Sequence, residues 1–338
     1  MLLGLSGGAD SVCLLWLLKS LEAELSFTLH ALHVQHGIRG EEAERDLSFS
    51  REMSAALSVP FHAVHLDVPQ YAAEKGLGLE EAARLLRYRA LEETLESWLS
   101  EDGADRDSGR IAVAHHQEDQ AETVLHNLIR GTGLRGLGGM RPRQDSLIRP
   151  LLTVTREEIL AELSAAGLSY VTDSSNAELR YTRNRLRQRV LPELRGINAR
   201  AVEHISATAA FLEEADELLR QQAADWVEGH REAAPAGDAE SRKSEAGDIL
   251  TELRVSLPAL RQEKPLLRRY ILMAMLEVMD TPRKDWGAVH LKALDDLLFR
   301  QGGSHLDLPC RMSGDIRGKQ LILRTHREIN SMKRRKKA

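Results

Sequence analysis

The chain has 338 residues, more than one compact core accommodates, so two or three domains are expected. Its composition, 42% hydrophobic and 29% charged, is that of a globular protein, and its net charge of −5 means that any nucleic-acid binding must rest on local basic clusters. The two cysteines, Cys13 and Cys310, have no metal or redox spacing, and the most apolar window, 270–279, is too short for a membrane span.

In chain order, apolar runs at 1–5, 29–34, 61–66 and 111–114 read as strands, and helical periodicity fills 11–24, 41–57 and 79–99. Such alternation predicts an α/β fold, a mostly parallel twisted sheet with helices on both faces. The first run leads straight into a glycine turn and an aspartate, which reads as a strand and not a signal peptide, and a cytoplasmic location is expected. Asn198 can cap a long helix over 199–228. The stretch 229–247 is poor in large apolar residues and reads as a linker. Helices follow at 257–279 and 288–300, with a strand pair around 304–308 and 321–324. The expected organisation is a catalytic domain over 1–190, a helical connector over 191–228 and a linker over 229–247. A small α+β domain over 248–326 and a basic tail over 327–338 complete it.

The sharpest motif is Ser6-Gly7-Gly8-Ala9-Asp10-Ser11, between the first strand and the first helix. Two glycines allow close backbone approach to an anion, and the helix start adds its partial positive charge. Ser6 and Ser11 supply hydroxyls, and Asp10 can take magnesium or cap the helix. After the fourth strand, His115-His116-Gln117-Glu118-Asp119-Gln120-Ala121-Glu122 packs three carboxylates into one helix start. Beside a nucleotide such acids hold magnesium or move a proton; standing alone they would merely suit a helix N-terminus. No His-Glu-x-x-His spacing supports zinc. The 33–40 segment carries His36 and Arg39 at a strand's carboxyl end, where open α/β sheets bind ligands. Arg84 and Arg87 share a helix, 130–140 is a glycine-rich loop opened by Arg130, and 180–189 holds five arginines and no acid. That last run is the expected polyanion footprint.

Taken with HVQHGIRG (33–40), EEAARLLRY (80–88), AHHQEDQAET (114–123), RGTGLRGLGGM (130–140), RPLL (149–152), TDSSN (172–176) and YTRNRLRQRVLPEL (181–194), the chain resembles the tRNA(Ile)-lysidine synthetases of the PP-loop (N-type) ATP pyrophosphatase superfamily. The resemblance is strong over residues 1 to about 200 and weaker beyond, through HLDLP (305–309). It implies a carbon–nitrogen ligase: ATP adenylates the wobble cytidine of an isoleucine tRNA with a CAU anticodon, and the ε-amine of free L-lysine displaces AMP at carbon 2. By resemblance, Ser6, Gly7, Gly8, Ala9, Asp10 and Ser11 bind ATP, with His36 and Arg39 lining the nucleotide or cytidine side. Asp119, Glu122 and Arg130 are the expected catalytic residues, and Asp10 and Asp119 the expected magnesium ligands. Arg84, Arg87, Arg183, Asn184 and Arg187 fall on the tRNA side. No membrane is implied, and a homodimer is left open. Two departures are visible: many relatives carry adjacent aspartates where this chain has Glu118-Asp119, which detaches Glu118 from a fixed metal-ligand role, and most have residues before the first strand. The rivals are another PP-loop tRNA-modifying enzyme and a catalytically idle tRNA-binding protein. A thiolase using cysteine pairs is disfavoured because no Cys-x-x-Cys occurs.

Overall fold

Residues 1–37, 40–172, 182–232, 252–279 and 286–325 are described in this computed structural model. Arg39, residues 173–176 of the TDSSN motif, the start of the arginine run, most of the expected linker and the basic tail lie outside them. The chain divides into two compact units, 1–213 and 214–338, so the expected connector over 191–228 is shared between them.

The first unit runs β1 (Leu2–Gly4), α1 (Ala9–Leu21), β2 (His30–Gln35), α2 (Glu41–Ala56), β3 (Phe61–His65), α3 (Val68–Lys75), α4 (Leu79–Glu101) and β4 (Ile111–Ala112). It continues with α5 (Gln117–Arg130), α6 (Leu134–Leu137), β5 (Arg143–Gln144), β6 (Leu147–Ile148) and α7 (Arg156–Ala165). Next come α8 (Thr182–Arg185), a π-helical turn Leu186–Val190 and α9 (Leu191–Ile197), and α10 (Ala201–His230) starts in this unit. The four expected strands are β1 to β4; β5 and β6 were not expected, being two residues each, too short for a periodicity signal. The sheet order is β3-β2-β1-β4-β6-β5, parallel except for β5.

Strand periodicity explains why both faces are covered. In β1 and just beyond it, Leu3 and Leu5 join a core with Val12, Leu14 and Leu15 of α1 and Ile159 and Leu163 of α7. Leu2 points the other way, onto Leu91, Leu95 and Leu99 of α4. Fully burying a leucine of this kind contributes about 1.5–3 kcal/mol. The order of the sheet reverses direction at β1, with β2 on one side and β4 on the other. In doubly wound sheets the ligand crevice opens there, beyond the carboxyl ends of the strands. The loops after β1 and β4 are the Ser-Gly-Gly loop and the His-His segment, so the topology alone aims both motifs at one place.

The second unit is an antiparallel sheet ordered β7-β10-β9-β8, from β7 (Glu252–Ser256), β8 (His305–Leu308), β9 (Met312–Arg317) and β10 (Gln320–Thr325). The two strands expected to pair do not: β9 lies between β8 and β10. The expected helix over 257–279 is also broken, into α11 (Leu257–Gln262) and α12 (Pro265–Val278). Pro265 has no N–H to continue a helix and forces Lys264 into an extended conformation, φ −61 and ψ 145. α13 (Ala288–Leu297) follows. Across the sheet, Glu252, Arg324, Asp315 and His305 form a ladder of alternating charge, one residue from each strand.

The turn after β1 depends on Gly7, whose φ is +85 and where an added Cβ would meet Ser50 Oγ at 3.2 Å and Phe49 at 3.4 Å. Gly8 has an ordinary φ of −71, and its Cβ would meet nothing closer than 3.6 Å. Gly7→Ala should therefore cost about 1–2 kcal/mol in urea unfolding, and Gly8→Ala clearly less. Equal costs would contradict this reading of the turn.

Candidate active site

The loop after β1 is shaped by its own hydroxyls. Ser11 Oγ donates to Gly8 O at 2.9 Å and accepts the Ser6 N–H at 3.2 Å, while the Ser6 and Ser11 hydroxyls lie 3.1 Å apart. Val171 N–H donates to Gly7 O, bringing the 168–172 segment onto the loop. Gly8, not Asp10, is the N-cap of α1, and no side chain caps it. The first-turn N–H groups of α1 are thus left for an anion, with the partial positive charge of the helix behind them. Beside the loop opens a cavity of about 430 Å³ lined by Ser6, Asp10, Ser11, His33, His36 and Arg87 among others.

The second motif enters from β4. His116 Nε2 lies 3.8 Å from Asp10 Oδ2 and 3.4 Å from Asp119 Oδ2, so one imidazole edge separates the two candidate magnesium ligands. Its Nδ1 meets Glu118 Oε2 at 2.9 Å, and its backbone N–H donates to Asp119 at 3.1 Å. Burial disfavours the imidazolium, but Glu118, Asp119 and Asp10 outweigh it and the His116 pKa is raised. Two hard carboxylates suit magnesium when phosphate oxygens complete its shell, which is its habit in nucleotide sites. Among the described residues no three histidines, cysteines or acids gather as a metal site by themselves.

Glu118 is fully engaged elsewhere. Besides His116, it accepts the backbone N–H of Arg156 at 3.1 Å and the Arg195 guanidinium at 2.7 Å. Desolvation opposes its charge, yet His116 above all, with the backbone N–H groups of Glu118 and Arg156, holds it down to about 2. It braces α5, α7 and α9 and is no free metal ligand.

Asp119 and Glu122 share a cation. Arg187 places Nε 2.5 Å from Glu122 Oε1 and Nη2 2.7 Å from Asp119 Oδ1. Burial raises the pKa of Glu122; Arg187 opposes that rise and Asp119 adds to it. Arg187, expected on the tRNA side, is therefore turned into the acidic pair and unavailable to a phosphate in this state. Arg130, expected among the catalytic residues, is exposed at the last position of α5, about 16 Å along the helix from Asp119. There its charge and that of Arg183 help burial to lower the pKa of His126. Arg130 thus belongs with Arg183 on the rim. Arg183 also approaches Glu80 at 3.9 Å, which brings the two basic segments of the sequence together.

A basic wall without acids was not expected from sequence. Arg149 is buried at 5% exposure; Nη1 donates to Arg141 O, and Nε has no hydrogen-bond partner among the described residues. Arg84 and Arg87 flank Tyr88, their guanidinium carbons 5.1 and 5.9 Å from its ring centre. No carboxylate among the described residues pairs with these three arginines. His115 also lines the cavity, its buried Nδ1 unpartnered among the described residues. Burial drives its pKa down to about 3; Asp119 opposes this, and Arg149, Arg87 and Arg84 reinforce it. The imidazole is neutral at physiological pH. Arg156 and Arg195 also went unnoticed, since each bonds to acids far away in sequence. Arg156 Nη1 contacts both oxygens of Asp10, at 2.9 and 3.0 Å.

A PP-loop domain family profile matches residues 1–194. A tRNA(Ile)-lysidine synthase of Parabacteroides distasonis is 48% identical over 213 residues, which is 61% of this chain and 46% of that protein. Another so named, from Caldanaerobacter subterraneus subsp. tengcongensis, is 33% identical over 335 residues, covering 98% of this chain and 66% of its own length. The chain thus spans about half to two thirds of these curated relatives. Among solved structures, a U34-tRNA thiolase from Methanococcus maripaludis matches with a TM-score of 0.50 at 20% identity, covering 63% of this chain and 71% of that one. That likeness bears on the fold alone.

The brace at Glu118 sets a pH dependence. Its folded pKa, about 2, lies below its ordinary 4.5, so its stabilisation is complete above about pH 4.5 and is lost as pH falls toward 2. Glu118→Gln should cost about 2–4 kcal/mol in urea unfolding at pH 7, with the gap to the unchanged chain narrowing below pH 4.5. A gap that stays constant down to pH 3 would contradict the assignment.

Proposed function

This chain belongs to the PP-loop family, and from that premise we propose that it ligates lysine to carbon 2 of the wobble cytidine of an isoleucine tRNA, consuming ATP. The observation that carries the reading is the meeting of the phosphate loop and the acidic helix at His116, within 3.8 Å of Asp10 and 3.4 Å of Asp119. The names of the relatives support the substrate.

In the first step the carbon-2 oxygen of cytidine attacks the α-phosphate of ATP, and pyrophosphate leaves. Ser6 and the first-turn N–H groups of α1 take the leaving group, whose negative charge they meet without reorganising. Asp10 and Asp119 would hold magnesium, which when bound neutralises phosphate charge. In the second step the ε-amine of lysine attacks carbon 2, and AMP departs with the former cytidine oxygen. Asp119 and Glu122 already hold one organic cation, the guanidinium of Arg187, and an ammonium group is a ligand of the same class. We assign them the lysine ammonium, entering as Arg187 leaves; Glu122, whose pKa burial raises, takes the proton that frees the attacking amine. Arg84, Arg87 and Arg183, with Arg130 on the rim, supply the positive charge for the tRNA backbone.

The test is pyrophosphate release from ATP, with and without lysine and unmodified isoleucine tRNA. Release should require the tRNA. Asp119→Asn should lower it by at least about 100-fold while leaving tRNA affinity within a few fold. Arg183→Gln should weaken tRNA binding and flatten its log–log salt slope by about 0.7–0.9. Normal turnover in Asp119→Asn would overturn the catalytic assignment. Tight tRNA binding with no pyrophosphate release would favour an idle tRNA-binding protein.

A further inference from the structure

We propose that Arg156 is a phosphate clamp, which pairs with Asp10 and transfers to the pyrophosphate of the nucleotide as that ligand binds. The inference builds on the reading of the Ser6–Ser11 loop as a phosphate site.

The base of Arg156 is fixed. It opens α7 directly after Thr155, whose hydroxyl accepts the Glu158 N–H while the Glu158 carboxylate accepts the Thr155 N–H. The backbone N–H of Arg156 is held by Glu118, itself buried and gripped by His116 and Arg195. Ile159 and Leu163 of the same helix lie in the core shared with α1. The backbone of Arg156 is therefore tied to the element that begins at the phosphate loop.

Its head, by contrast, is free to turn. The side chain is 45% exposed, and Nη1 alone contacts Asp10. Nε and Nη2 have no hydrogen-bond partner among the described residues. Those nitrogens present the planar fork that matches two phosphate oxygens. Asp10 sits two residues after Gly8, the cap of the loop, so the guanidinium is already beside the cradle, and torsions alone can redirect it.

Electrostatics gives the exchange its direction. An unmasked Asp10 would repel the phosphates that its own loop is built to hold. Arg156, paired with Asp10, removes that repulsion. Asp10, were it to hold a divalent cation arriving with the nucleotide, would no longer pair with Arg156, and the guanidinium would need another anion. A solvent-screened pair such as Arg156–Asp10 is weaker than a charge-assisted fork on phosphate. As the bond between the α-phosphorus and the bridging oxygen breaks, its electron pair goes to the departing pyrophosphate, where Arg156 meets the new charge.

The test is equilibrium binding of inorganic pyrophosphate to the whole chain, with and without magnesium, for the unchanged protein, Arg156→Gln and Arg156→Lys. Thermal melts serve to check folding. Arg156→Gln should weaken pyrophosphate binding in the presence of magnesium by at least about tenfold, the loss of one charge-assisted hydrogen bond. Arg156→Lys keeps the charge and loses the fork, so it should fall between; it decides the matter alone if Arg156→Gln melts early. An arginine that only masks Asp10 gives the opposite sign with magnesium present, since its removal exposes the carboxylate to the metal. Unchanged or tighter binding in either variant would overturn the clamp. Failure of the unchanged protein to bind pyrophosphate would overturn the phosphate-loop reading and the clamp with it.

Discussion

A buried carboxylate stays charged only where several donors replace the water it has lost, and at Glu118 those donors come from separate elements. The His116 ring precedes α5, the Arg156 N–H opens α7 and the Arg195 guanidinium belongs to α9. If α7 or α9 moved away, an unpaired charge would be left in a low-dielectric interior. The same residue thereby fixes the ring that stands between Asp10 and Asp119, and the backbone from which Arg156 reaches the phosphate loop. Site geometry and local stability are thus held by one interaction. This explains why a glutamate stands here although a metal ligand would seem the natural use of an acid at this position.

Around that brace the charges are arranged in two unequal halves. On the acidic side, each carboxylate already has a cation: Arg156 on Asp10, Arg187 on Asp119 and Glu122. On the basic side, Arg84, Arg87 and Arg149 have no carboxylate among the described residues. A site whose acids are occupied by the chain's own arginines, and whose other arginines wait for anions, suits a polyanionic substrate entering with a cationic one. In the proposed reaction, lysine and a divalent ion would displace the arginines that sit on the acids. The phosphates of ATP and tRNA would meet those that have no partner. Loading the site is then largely an exchange of ion pairs, which limits the cost of desolvating so many charges at once.

Much of this was legible in the sequence, and the parts that were not share a cause. The Ser-Gly-Gly loop, the four parallel strands and the acidic start of α5 follow from local pattern. The topology needs only strand order to bring loop and helix together. Arg187 stands in an arginine-rich run with no acid, which looks like a polyanion footprint; the acids it bonds, Glu122 and Asp119, lie 65 and 68 residues away. Arg156 escaped notice because it stands in a capping box, where a lone arginine carries no signal of its own. β9 was missed because Met312-Ser-Gly-Asp-Ile-Arg317 includes a glycine and an aspartate, both poor strand formers. Gly314 is tolerated there because Leu294 and Leu297 of α13 pack where its side chain would be. In each case the deciding contact is long-range, and sequence spacing holds no record of it.

The most direct measurement is the mass of the wobble nucleoside of isoleucine tRNA after incubation with the whole chain, ATP, magnesium and isotopically labelled lysine. The account requires one lysine joined to cytidine with loss of water, the label retained, and no product when either ATP or lysine is left out. An unchanged cytidine in a tRNA that the protein binds, or a different modification at that position, would contradict it.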